Sequence, residues 1–225
     1  MSKKIIVLIL AIIILALIGG IVFMVTNNDS NDQENENNAL QSNTSNAQSS
    51  NTENVANVNN DENNTTHTGK VLVLYFSQSG NTEAVANFIH DAVGGDIVKL
   101  ETETPYPSDY DELVDYAQEE QRENARPVLS THIDNIDEYD IIFLGYPNWW
   151  GDMPMPIYTF LDEYDLSGKT IAPFITHGGS GLSGTPQNIQ EEEPNATVTE
   201  GLAVSGSSSR NSQSTVNNWL SQIGF

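Results

Sequence analysis

"VLVLYFSQSGNTEAVANFI", Val71 to Ile89, sets a continuous apolar run against a loop of small polar residues, then resumes with helical spacing. The run Val71–Phe76 reads as a strand covered on both faces, as in a parallel sheet. Thr82–Val93 reads as an amphipathic helix. Between them lie Ser77, Gln78, Ser79, Gly80, Asn81 and Thr82. One capping residue, Asn81 or Thr82, is enough to start a helix. Six consecutive small polar residues exceed that need. A helix N-terminus presents unpaired N–H groups and the positive end of its dipole, and with hydroxyls around it can cradle a phosphate. No lysine is present, so this is not the loop of nucleoside triphosphatases.

The pattern extends outward from this stretch. Further strand candidates are Asp96–Leu100, Asp140–Gly145, Thr170–Thr176 and Thr197–Val204. Further helix candidates are Asp109–Asn124, Pro156–Tyr164 and Ser212–Ile223. Strands and helices that alternate in this way predict a doubly wound α/β domain over residues 69–225. The acidic helix candidate after Tyr106 carries Leu113, Tyr116 and Ala117 as its apolar stripe. It reads as a surface helix covering the sheet, or as the rim of a site. Glu191, Glu192 and Glu193 read as a solvated helix end.

In such a sheet, ligands bind beyond the carboxyl ends of the strands. Two more loops lie there. "YPNWWGDMP" supplies Pro147, Asn148, Trp149, Trp150 and Gly151, a rigid aromatic wall or else a patch of core. Adjacent residues rarely face one core together, so at least one tryptophan is expected to face outward. "THGGSGLSG" supplies Thr176, His177, Gly178, Gly179, Ser180 and Gly181, whose backbone can approach a flat ligand closely. A phosphate cradle, an aromatic wall and a glycine-lined edge together describe a phosphorylated planar heterocycle.

These three motifs, in this order, resemble those of flavodoxins and their flavodoxin-like relatives. The resemblance covers roughly residues 69–225. It implies a five-stranded parallel sheet in the order 2-1-3-4-5 and one non-covalent FMN. It further implies that Ser77, Ser79, Asn81 and Thr82 hold the FMN phosphate without a cationic side chain. Trp150 would flank the isoalloxazine, Gly151 would contact its N5 edge, and His177 to Gly181 would line the pyrimidine side. The third loop departs from many electron-transfer flavodoxins in carrying no aromatic residue for the second flavin face. Tyr106 or Tyr110 is a substitute; otherwise that face is open.

The N-terminal third has a different texture. Residues 1–26 contain an uncharged apolar run from Ile5 to Val25, which as a helix spans about 30 Å, one bilayer core. Lys3 and Lys4 precede it, which predicts a cytoplasmic N-terminus and an extracytoplasmic remainder. A cleaved signal peptide is the competing reading; the length of the run, and no small-x-small site soon after it, favour an uncleaved anchor. Residues 27–68 are rich in Asn, Ser, Thr, Asp and Glu and read as a disordered linker, holding the next domain on the order of 35–40 Å from the membrane.

Composition narrows the function. The 225 residues carry a net charge of −23 and no cysteine. Such acidity argues against nucleic-acid binding, which needs clustered Lys and Arg, and suits docking onto basic partners. No metal-ligand spacing occurs among the four histidines. The expectation is a membrane-tethered, FMN-binding electron-transfer protein that serves an unidentified redox partner and needs no catalytic acid or base. The alternatives are an FMN-dependent NAD(P)H or quinone oxidoreductase, and a flavin-free surface module.

Overall fold

The structure, a computed structural model, describes residues 69–225. The expected anchor (1–26) and linker (27–68) lie outside the described residues. Among the described residues no helix is long and apolar enough to cross a membrane.

Among the described residues, five α-helices and six strands alternate. In order they are β1 (Val71–Tyr75), α1 (Asn81–Val93), β2 (Asp96–Lys99), α2 (Tyr110–Glu123), β3 (Ile141–Pro147), α3 (Met155–Glu163), β4 (Thr170–His177), α4 (Thr185–Glu192), β5 (Thr197–Val198), β6 (Leu202–Ser205) and α5 (Gln213–Gln222). A 3-10 turn, Gly206–Asn211, joins β6 to α5. The sheet is parallel throughout, in the order β2-β1-β3-β4-β5, with β6 also paired to β4. The fifth position is therefore shared by two short strands, which gives the expected 2-1-3-4-5 arrangement.

The break between β5 and β6 has a local cause. Thr199 N–H donates to the Ile171 carbonyl at 2.9 Å, and pairing resumes at Phe174 with Leu202. Between those points β4 presents Pro173, which has no N–H to continue the ladder. The continuous strand expected from Thr197 to Val204 divides there.

Side chains alternate across the sheet with period two. Leu72, Leu74, Ile142, Leu144 and Ile171 enter one core layer with Ile157 and Phe160 of α3 and Ile189 of α4. Val73, Phe143, Ala172 and Phe174 enter the other, with Val85 and Ile89 of α1 and Val216 and Trp219 of α5. Val71 to Leu74, Ile141 to Leu144 and Ile171 to Ile175 are apolar at every position because both faces of the sheet are covered. Gly145 is needed where β3 meets β4, since a Cβ there would lie 2.1 Å from the Phe174 ring.

Two helix readings change. Of helix α4 only the end, at Glu191 to Glu193, is expected from the sequence: Ile189 is its one buried apolar side chain, too little for a period. Glu193, read as part of a solvated helix end, is instead buried just beyond α4, and desolvation raises its pKa.

Candidate functional site

A cavity of about 600 Å³ opens where β1, β3, β4 and β6 end. The loop after β1 contributes Ser79 and Asn81. The end of β3 and its loop contribute Pro147, Asn148, Trp149 and Trp150. The end of β4 and its loop contribute Thr176, His177 and Gly178. The strand order reverses between β1 and β3, which is the topological position at which open α/β sheets hold ligands.

The first loop enters α1 through Gly80, whose φ of 79° is left-handed and costs glycine little. Gly80 therefore occupies the cap position assigned above to Asn81 or Thr82, and it has no side chain with which to cap. Ser77, buried, accepts instead from Glu83 N–H at 3.3 Å. The amides of Asn81 and Thr82 remain first-turn donors without intrahelical partners. Thr82 is buried, and its hydroxyl shares a 2.8 Å hydrogen bond with that of Thr176, tying the first loop to the third. Gln78 points away, with Nε2 3.5 Å from the Pro107 carbonyl.

The second loop turns tightly. Trp149 and Asp152 exchange two backbone hydrogen bonds of 3.0 and 2.9 Å. Between them Trp150 (φ 54°) and Gly151 (φ 82°) are both left-handed, a type I′ turn. The two tryptophans part company as adjacent residues should. Trp149 is packed edge-on against Phe76 and Tyr106, with ring centroids 5.4 Å apart in each case. Trp150 is 52% exposed, and its indole N–H donates to the Val114 carbonyl at 3.2 Å. Gly151 lies at the tip of the turn and does not line the cavity. The base of the turn is fixed by Asp152, whose carboxylate accepts from Tyr158 Oη, Asn188 Nδ2 and the Met153 amide.

Asn148 joins the second and third loops. Its Nδ2 donates to the Gly181 carbonyl at 3.1 Å, and its Oδ1 accepts from Gly151 N–H at 3.1 Å. Gly179 N–H donates to His177 Nδ1 at 3.0 Å, and the Ser180 carbonyl accepts from Ser183 Oγ. Gly179, Ser180 and Gly181 thus shape the third loop without lining the cavity.

Two further walls close the site, one on the acidic helix whose second reading was a rim and one with no counterpart in the sequence reading. Tyr110, Leu113, Val114 and Ala117 of α2 line one; of these, only Tyr110 stood out in the sequence as a facing aromatic. Tyr106 is buried beneath Trp149 and unavailable for that role. The apolar stripe of α2 was visible, but nothing in its period says that it covers a cavity as well as the sheet. Ser205, Gly206 and Ser207 form the other wall. Here a signal existed: "SGSSS" is a hydroxyl-rich segment following a strand, the same feature that marked the first loop.

No Asp, Glu, Lys or Arg lines the cavity, and its titratable lining residues are Tyr110 and His177. Among the described residues no three His, Asp or Glu side chains gather as a metal site. The arrangement is suited to holding a flat ligand with an anionic end: amides and hydroxyls at one place, indoles and aliphatic groups at another. The volume falls within the roughly 300–1,000 Å³ of small-molecule sites.

Comparison with known proteins agrees with the topology. The flavodoxin family model matches residues 70–223. A flavodoxin from Nostoc sp. is 28% identical over 111 residues, covering 48% of this chain and 51% of its own. A flavodoxin from Picosynechococcus sp. is 30% identical over 126 residues, covering 54% and 58% respectively. The chain thus spans about half the length of the curated relatives it matches. Among solved structures, a candidate flavoprotein from Bacteroides eggerthii superposes with a TM-score of 0.62 at 32% identity, covering 69% of this chain and 98% of that one. A flavoprotein from Lactobacillus acidophilus, solved in complex with FMN, gives 0.53 at 27% identity, covering 65% and 99%. With its motifs, strand order and matched span in agreement, the chain belongs to the flavodoxin family.

Proposed function

We propose that this protein is an FMN-binding electron carrier. The observation that carries the reading is the convergence of an α1 N-terminus, a tryptophan pair and a glycine-rich edge on one cavity at the β1/β3 switch point. The FMN complex of the Lactobacillus relative supports the choice of ligand. The residues present fit that group. The amides of Asn81 and Thr82, with the Ser79 hydroxyl, bind its phosphate. Trp149 and Trp150 give its ring system an apolar surface and exclude water. Asn148 and Thr176 hold the flanking loops in register. When bound, FMN supplies the redox chemistry, and the protein supplies binding, orientation and environment.

The uncharged run from Ile5 to Val25, preceded by Lys3 and Lys4, supports tethering this domain on the outer face of a membrane. Its redox partner would then meet an acidic protein at the end of a polar linker.

A flavin titration of the purified full chain in detergent tests the proposal, followed by addition of NAD(P)H. A carrier takes up FMN stoichiometrically and oxidises NAD(P)H slowly. Rapid NAD(P)H oxidation would make the protein a reductase, and failure to take up FMN would make it a flavin-free module.

A further inference from the structure

The cations of the described residues are nearly all engaged. Lys70 pairs with Asp96 and Glu138, Lys99 with Glu101, Arg122 with Glu119 and Arg126 with Asp162. Lys169 is buried, and its ammonium donates to the carbonyls of Asp137 and Tyr139. Arg210 differs: among the described residues it is the one Lys or Arg whose head group has neither ion pair nor hydrogen bond. In a chain of net charge −23 that is an unusual cation.

Its location is specific. A methyl group built on Gly80 would lie 3.6 Å from Arg210 Nη2, so the guanidinium stands beside the first loop. Arg210 belongs to the 3-10 turn after β6, and that turn is fastened to α1. Ser209 Oγ donates to Asn81 Oδ1 at 3.2 Å. Gly206 approaches the same side chain so closely that a Cβ would be 2.9 Å from Asn81 Nδ2. Ser205 and Ser207, hydrogen-bonded to each other at 2.9 Å, line the cavity that Asn81 and Ser79 line.

We infer that Ser205, at the end of β6, and the turn Gly206–Asn211 form the second half of the phosphate cradle and that Arg210 is its cation. The inference rests on the FMN reading above. Amides and hydroxyls solvate a phosphate but do not neutralise it, and an acidic protein repels a dianion on approach. Glu83 adds to that repulsion: its Oε2 would lie 3.9 Å from the same methyl on Gly80, and its Oε1 accepts from Tyr75 Oη. A guanidinium beside the loop offsets both charges and matches phosphate geometry with its planar fork. The cradle thus keeps the neutral half implied by the resemblance, from the loop after β1, and departs from it in a cation that stands beside the cavity rather than in its lining, on the C-terminal turn.

The test compares FMN with riboflavin, which lacks the phosphate, by fluorescence titration of the full chain in detergent. Because Arg210 is exposed, Arg210→Gln is expected to weaken FMN binding about three- to tenfold and to change riboflavin binding less than about twofold. Arg210→Lys should retain most of the preference for FMN. Raising salt from about 0.05 to about 0.5 M should weaken FMN binding by the wild type more than by Arg210→Gln. A wild type that binds FMN, with an Arg210→Gln variant of unchanged FMN-to-riboflavin ratio, would overturn the role of Arg210 alone. Equal losses for both flavins would overturn it too, as a packing effect. A wild type that binds neither flavin would overturn the cofactor reading and this inference with it.

Discussion

Trp150 stands at φ 54°, a conformation that costs a non-glycine residue about 1–2 kcal/mol. The sequence accepts that strain at a position where Asn-Gly is the preferred type I′ pair. Trp150→Asn should therefore leave stability within about 1 kcal/mol of wild type or raise it, since asparagine tolerates left-handed φ. The same change removes an indole that lines the cavity. Stacking a flat base on an aromatic ring contributes about 1–3 kcal/mol, so FMN affinity should fall by about fivefold to 150-fold. Denaturant unfolding and flavin titration on one preparation check both halves; unchanged FMN affinity would remove Trp150 from the site. That the two tryptophans face different ways was legible in the sequence, because adjacent residues seldom share one environment. The hydroxyl pairing of Thr82 with Thr176 was not, since it joins residues 94 apart that nothing local connects.

At the scale of elements, α2 is docked through one buried polar contact. Tyr106 Oη donates to Glu120 at 2.6 Å, with both side chains largely buried. Burial raises the Glu120 pKa above its ordinary 4.5, against a lowering by the Tyr106 hydrogen bond. Above that ordinary value the folded chain holds the proton more tightly than the unfolded chain. The stability this group contributes is thus complete below its unfolded pKa and is lost as pH rises through its folded pKa. Glu120→Gln keeps an acceptor for Tyr106 without the charge, so its stability relative to wild type should increase between about pH 4 and about pH 7. Denaturation midpoints at the two pH values decide this; a constant difference would mean that Glu120 does not titrate in that window. The contact of β3 with β4 makes a second demand. Gly145→Ala forces a methyl into the Phe174 ring and should cost about 1–3 kcal/mol, read as a lower thermal midpoint, with overpacking as the cause. The long apolar strands were legible because coverage on both faces leaves few polar positions. The body of helix α4 and the divided fifth strand were not. The first turns on a single buried isoleucine, and the second on where Pro173 falls in the register.

For the whole molecule, placement is the property to test. Protease added to intact cells or spheroplasts should remove the flavodoxin domain from its N-terminal segment. Complete protection with the membrane intact would reverse the assignment to the outer face. Within the domain itself, the site was half visible beforehand. The loops after β1, β3 and β4 carry unusual residues in short runs. The α2 wall is built from ordinary apolar side chains whose purpose depends on tertiary position. The C-terminal turn joins the site only because β6 brings residue 205 beside residue 177. The placement of the tryptophans has an optical consequence. Of the chain's three indoles, two line the cavity and the third, Trp219, is buried between sheet and α5. Trp219→Phe would leave an intrinsic fluorophore pair that reports occupancy, and replacing Trp149 and Trp150 with Phe would leave one that reports folding. The two equilibria can then be followed separately, each in its own variant, with no attached dye.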